Sequence, residues 1–118
     1  MAGEAFKKVL NHTDEIELTV IGRKTGRKIS NPVWFVYEGE TLYLLPVKGS
    51  ESDWYKNLLR NPAITLVANG VTWATKAAPI TDAVRVQDVI EKFRARYGAG
   101  QVKQYYSKFD VAVEVPLT

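Results

Sequence analysis

Asn69-Gly70 separates two runs that read as strands, residues 63–68 and 71–78. An Asn-Gly pair in that position is a strong two-residue hairpin signal, because both residues tolerate the positive φ that a type I′ turn needs. It commits this part of the chain to antiparallel pairing. Other segments repeat the theme. In residues 15–21, Ile16, Leu18 and Val20 face one way, and Glu17 and Thr19 the other. Residues 30–37 hold Val33, Trp34, Phe35 and Val36, apolar on both faces as a central strand requires. Glu38-Gly39-Glu40 turns the chain into a further run, 41–47, and residues 111–117 alternate Val111, Val113 and Val115 against Ala112 and Glu114. Six short strands are therefore expected.

Helical spacing fills the intervals. Residues 4–11 place Phe6, Val9 and Leu10 on one side of a short helix. Ser52 and Asp53 are candidate caps for a helix through Trp54, Leu58 and Leu59, which Asn61-Pro62 stops. Thr81-Asp82 opens a longer helix that ends at Tyr97, with Val86, Val89, Ile90, Phe93 and Tyr97 on one stripe. Gly98 and Gly100 end it, and residues 101–107 predict another helical turn. The pattern predicts an α+β chain, mainly β: a six-stranded antiparallel barrel with helices packed outside. One domain over residues 1–118 is expected at this length, with a 46% hydrophobic fraction able to fill a single core.

Several classes of chemistry are excluded by composition. There is no cysteine, which removes disulfides, thiolate metal sites and cysteine nucleophiles and fits a reducing compartment. The single histidine, His12, cannot build a multi-histidine metal site, so no metal is expected. No pair of carboxylates stands out for acid–base work. No apolar run approaches the roughly 20 residues of a membrane span, and residues 1–10 show no secretory h-region. The expectation is a cytoplasmic protein with no stable membrane insertion. A net charge of +3 suits an anionic ligand but lacks the dense basic face of a nucleic-acid binder, so no nucleic-acid partner is expected.

The chemistry-bearing residues fall in two main segments, with a pair of tyrosines further along the chain. Gly22-Arg23-Lys24-Thr25-Gly26-Arg27-Lys28 is a cationic turn framed by glycines, between two apolar runs. Backbone N–H groups, a hydroxyl and cations can converge there on one anion such as phosphate. The same composition also serves a solvated hairpin. Pro46-Val47-Lys48-Gly49-Ser50 then leads into the helix of Trp54, Tyr55 and Asn57. Gly49 would permit close approach of a ligand, and the aromatic pair could wall a planar ring. Tyr105 and Tyr106, in a polar stretch after the Gly98-Ala99-Gly100 break, are candidates for a substrate-pocket lid.

These residues resemble the deazaflavin (coenzyme F420)-dependent nitroreductase family, a branch of the split β-barrel flavin-binding fold. The resemblance runs from about Glu17 to Ala68 and weakens towards the C-terminus. It rests on residues 18–26 (LTVIGRKTG), Asn31-Pro32-Val33-Trp34-Phe35, Leu42-Tyr43-Leu44, Lys48-Gly49, Trp54-Tyr55-Lys56-Asn57-Leu58 and Asn61-Pro62. It implies a six-stranded split barrel. It also implies hydride transfer from reduced deazaflavin to a small nitroaromatic, quinone or activated alkene. Arg23, Lys24, Thr25 and Gly26 match the segment that holds the cofactor's phosphate and acidic tail. Asn31 and Pro32 match the strand lining the ring, Val47, Lys48 and Gly49 the loop beside it, and Trp54, Tyr55 and Asn57 the closing helix. Tyr105 and Tyr106 loosely resemble tyrosines of the substrate pocket and are the candidate catalytic residues. Many members carry Pro-Arg where this chain has Lys28-Ile29, and Arg27 with Lys28 offer adjacent cations instead. FMN as cofactor, or a non-catalytic ligand carrier, are the alternatives. A homodimer is compatible with the resemblance.

Overall fold

The computed structural model describes residues 2–118. Met1, the first residue of the stretch read for a secretory segment, lies outside them. Helix α1 (Ala2–Leu10) precedes strands β1 (Glu15–Ile21), β2 (Lys28–Trp34), β3 (Val36–Glu38) and β4 (Thr41–Leu44). A single 3-10 turn (Gly49–Glu51) leads into α2 (Asp53–Arg60). Strands β5 (Ala63–Ala68), β6 (Val71–Lys76) and β7 (Ala78–Ile80) follow, then α3 (Ala83–Tyr97), α4 (Ala99–Tyr105) and β8 (Ala112–Pro116).

The strands form two four-stranded antiparallel sheets, β2-β1-β5-β6 and β3-β4-β8-β7, rather than a closed six-stranded barrel. The expected strand count needs correction for a physical reason. Two of the six apolar runs each serve both sheets. The run expected at 30–37 breaks at Phe35 into β2 and β3, and the run at 71–78 breaks at Ala77 into β6 and β7. Both break residues are buried, so the hydrophobic pattern carries no trace of the crossing. Their backbone groups leave the ladders and need other partners. Ala77 N donates to Pro62 O at 2.9 Å. At Phe35 the Tyr97 hydroxyl takes the ladder's place, accepting from Phe35 N at 3.1 Å and lying 2.8 Å from Phe35 O.

Two cores result. Phe6, Leu18, Leu42, Leu66 and Val113 fill the space between the sheets. Ile80, Val86, Ile90, Phe93 and Val102 pack α3 and α4 onto the outside of the second sheet. Strand β8 serves both: Val113 and Val115 point inward, while Ala112 lies under the helices. Each fully buried aliphatic or aromatic side chain contributes about 1.5–3 kcal/mol relative to exposure.

Helix α3 starts where its cap predicts, with Asp82 accepting from Arg85 N at 3.0 Å. Ser52 precedes α2, but its hydroxyl makes no cap; it accepts from Lys48 N at 2.9 Å instead. Asp53 supplies the negative charge that the first turn favours. Strand β2 is an edge strand, and of its inward positions only Val33 reaches the core. Ile29 and Asn31 continue past the end of the core, and this is where a groove opens.

Candidate functional site

The cationic turn is locked to α2 by one arginine. Gly22 N donates to Arg27 O at 2.7 Å and Gly26 N to Gly22 O at 2.8 Å, closing the loop on itself. The Thr25 hydroxyl accepts from Arg27 N at 3.3 Å. Asn57, buried on α2, accepts through Oδ1 from Arg23 N at 3.1 Å and from Arg23 Nη1 at 2.7 Å. Arg23 also pairs with Asp53, Nη2 to Oδ1 at 3.4 Å. Its charge is therefore committed to the protein. Lys24, Arg27, Lys28 and Lys48 are exposed, and among the described residues none is paired with a carboxylate.

Between turn and helix lies a cavity of about 400 Å³. Gly22, Arg23, Lys24 and Thr25 form one wall and Asp53, Trp54 and Asn57 the other. Ile29 and Asn31 of β2 form its floor. A second cavity of about 280 Å³ shares Asn31, Asp53 and Trp54 and extends past Pro32, Val47 and Lys48, so the two make one groove. Gly22 is needed for the tight approach here, since a Cβ would come 3.1 Å from Ile29 Cδ1 and 3.3 Å from Arg27 O. The walls combine cations, amide groups and an indole, a set suited to a ligand with an anionic tail and a flat ring.

The structure thus gathers Arg23, Lys24, Thr25, Asn31, Pro32, Val47, Lys48, Trp54 and Asn57 around one groove. Gly26, Arg27 and Lys28 belong to the same turn but do not line it. Tyr55 is elsewhere, 3% exposed in the core between the sheets. Burial, with Asp110 adding to it, pushes its phenol above the ordinary range. Gly49 faces Asp110: a Cβ at Gly49 would collide with Asp110 Oδ1, and φ is +55°.

Tyr105 and Tyr106 stand beyond the groove. Tyr105 is 41% exposed and its ring lies 4.5 Å from Trp34. Tyr106 is 3% exposed, edge-on to Phe93 and Trp34. Burial, reinforced by Tyr105 and Tyr97, pushes its phenol far up, so it remains protonated. The two tyrosines connect to the groove through Ser107, whose N–H donates to Val47 O at 2.8 Å.

Three participants escape a reading of the sequence by motif. Ile29 lines the groove although apolar, Asp53 does so in addition to opening α2, and Asp110 supports the Lys48 loop from far along the chain. Asp53 carried a signal only as a helix cap, and Asp110 carried none. Among the described residues no group of His, Cys, Asp and Glu is placed to hold a metal ion, and no helix is long and apolar enough to cross a membrane.

Comparison with known proteins bears on which ligand this groove serves. An F420-H2 dependent reductase, FDR-A, shares the fold at 18% identity and TM-score 0.67, over 86% of this chain and 93% of that one. A domain-swapped dimer matches at 16% identity and TM-score 0.69, over 95% and 94%. The heme storage protein HutZ from Vibrio cholerae matches at 16% identity and TM-score 0.71, over 96% and 87%. Such likenesses establish the split-barrel type of fold and leave the ligand open. No protein of curated function matches the chain. The sequence profile of the F420H(2)-dependent quinone reductase family, however, matches residues 2–117. The chain belongs to that family, and it is an F420-dependent oxidoreductase with coenzyme F420 as its cofactor.

Proposed function

We propose that this chain binds reduced deazaflavin in the groove between the 22–28 turn and α2, and delivers its hydride to a small quinone, nitroaromatic or activated alkene. The observation that carries the placement is the groove itself, with Lys24 and Lys48, neither ion-paired among the described residues, at separate points along it and Trp54 between the polar groups. The donor set fits the cofactor: Lys24 and the neighbouring Arg27 and Lys28 suit its phosphate and acidic tail, while Trp54, Ile29 and Asn31 suit a flat ring. When bound, the cofactor supplies the hydride chemistry. The residues around it bind and orient. Arg23 holds the turn against Asn57, Trp54 excludes water from one wall, and Lys48 offers a second anion contact.

The aromatic cluster of Trp34, Tyr97, Tyr105 and Tyr106 supports a substrate side at the Val47 end. Tyr105, the exposed member, can present its hydroxyl to a substrate oxygen as a proton donor, and Tyr106 forms apolar wall behind it. The domain-swapped neighbour supports a homodimer as the assembly.

Steady-state kinetics with a quinone and a nitroaromatic, beside a binding titration, test the assignment. Replacing Tyr105 and Tyr106 together by Phe should change turnover and leave cofactor affinity nearly intact, because only hydroxyls are lost. Reduced affinity with normal turnover at saturating cofactor would put the tyrosines on the cofactor side. Cofactor binding without substrate-dependent reoxidation would favour the carrier reading.

A further inference from the structure

We propose that Asp110 is a positioning residue for Lys48, clasping the 3-10 turn so that the lysine is presented to the groove; this rests on reading Lys48 as a cofactor contact.

The contacts form a short zipper between two distant segments. Ser107 donates to Val47 O through both its N–H, at 2.8 Å, and its hydroxyl, at 3.2 Å. Lys48 and Lys108 then pair as an isolated parallel bridge. Beyond them, Ser50 N donates to Asp110 Oδ1 at 2.9 Å, and the Ser50 hydroxyl donates to Asp110 Oδ2. Asp110 lies across the bare face of Gly49, in the space a Cβ would need. Lys48 is the residue immediately before that turn, and its own N–H is held by Ser52 Oγ at 2.9 Å.

The backbone on both sides of the Lys48 side chain is thereby fixed, while the side chain carries no ion pair among the described residues. A long flexible cation loses less entropy on binding an anion when its backbone is already held. The carboxylate suits this task. Burial works against its charge, but the two Ser50 bonds and Lys108, 3.7 Å away, keep Asp110 below the ordinary carboxylate range. The same zipper joins the segment after Tyr106 to the groove wall, so the clasp also ties the proposed substrate side to the cofactor side.

A double-mutant cycle on coenzyme F420 affinity, read by tryptophan quenching, decides the matter. Lys48→Ala should weaken binding about tenfold, the loss of one charge-assisted contact. Asp110→Ala should weaken it by a similar factor, and the double variant should be little worse than Lys48→Ala alone. Asp110→Asn, which can still accept from Ser50 N, should fall between wild type and Asp110→Ala. Multiplicative losses in the double variant, or full affinity in Asp110→Ala, would overturn the positioning role while leaving the groove assignment intact. No effect of Lys48→Ala, with binding otherwise normal, would overturn both the role and the placement of Lys48. Should Asp110→Ala fail to fold, Ser50→Ala combined with Lys48→Ala gives the same cycle through the clasp's other member.

Discussion

Tyr97→Phe should destabilise the protein by about 1–3 kcal/mol, the cost of leaving buried backbone groups without partners. The loss of a single oxygen acts on the point where β2 passes into β3. Phe35 is fully buried there, outside both ladders, and the Tyr97 hydroxyl serves its N–H and its carbonyl. Asp14 O, also 2.8 Å away, shares the hydroxyl's single proton with Phe35 O. Burial is the main reason that this phenol sits above its ordinary range, so it remains a donor throughout neutral pH. Its ring also stacks on Trp34, 4.3 Å between centroids at 12°, and Phe would keep that contact. Tyr37→Phe is the control, because among the described residues its hydroxyl meets only exposed Asn11 and should matter within about 0.5 kcal/mol. Thermal unfolding of both variants checks the contrast. Equal melting temperatures would mean that water replaces the Tyr97 hydroxyl without cost.

Lys24→Ala should weaken coenzyme F420 binding by about 1.5–3 kcal/mol, the worth of one charge-assisted contact to phosphate, and leave stability unchanged. The lysine is exposed, lines the groove and is unpaired among the described residues, so nothing in the fold depends on it. Arg23 makes a poorer test. Its removal would strip the buried Asn57 carbonyl of its guanidinium donor, leaving only the backbone N–H of residue 23, and loosen the turn, which confounds affinity with structure. Binding isotherms with a parallel melt separate the two effects. Unchanged affinity in a normally folded Lys24→Ala protein would return the turn to a solvated hairpin.

How far the sequence reached differs from element to element. The stripe from Val86 to Tyr97 and the cap at Asp82 locate α3, because a helix writes its buried face at a fixed period. The Asn69-Gly70 hairpin is equally local, with φ of 47° and 82° at its two residues. The grouping of Lys24, Asn31, Lys48, Trp54 and Asn57 was legible through family resemblance together with the chemistry of the turn. The sheet crossings at Phe35 and Ala77 were not, since a buried apolar residue looks the same whether its strand continues or changes sheet. Gly49 pointed to close approach, and the approach is real, but the structure puts Asp110 there. Tyr55 and Trp54 are consecutive on one helix and both pack into the core, but the 100° step between them leaves only Trp54 bordering the groove.

The most direct measurement is a titration of the purified protein with coenzyme F420 and with FMN, following tryptophan quenching. Trp54 in the groove wall should report occupancy, with F420 binding selectively and saturably and Lys24→Ala shifting the F420 curve alone. Tighter binding of FMN, or saturation by F420 with no change in Lys24→Ala, would contradict the placement of the deazaflavin between the cationic turn and α2.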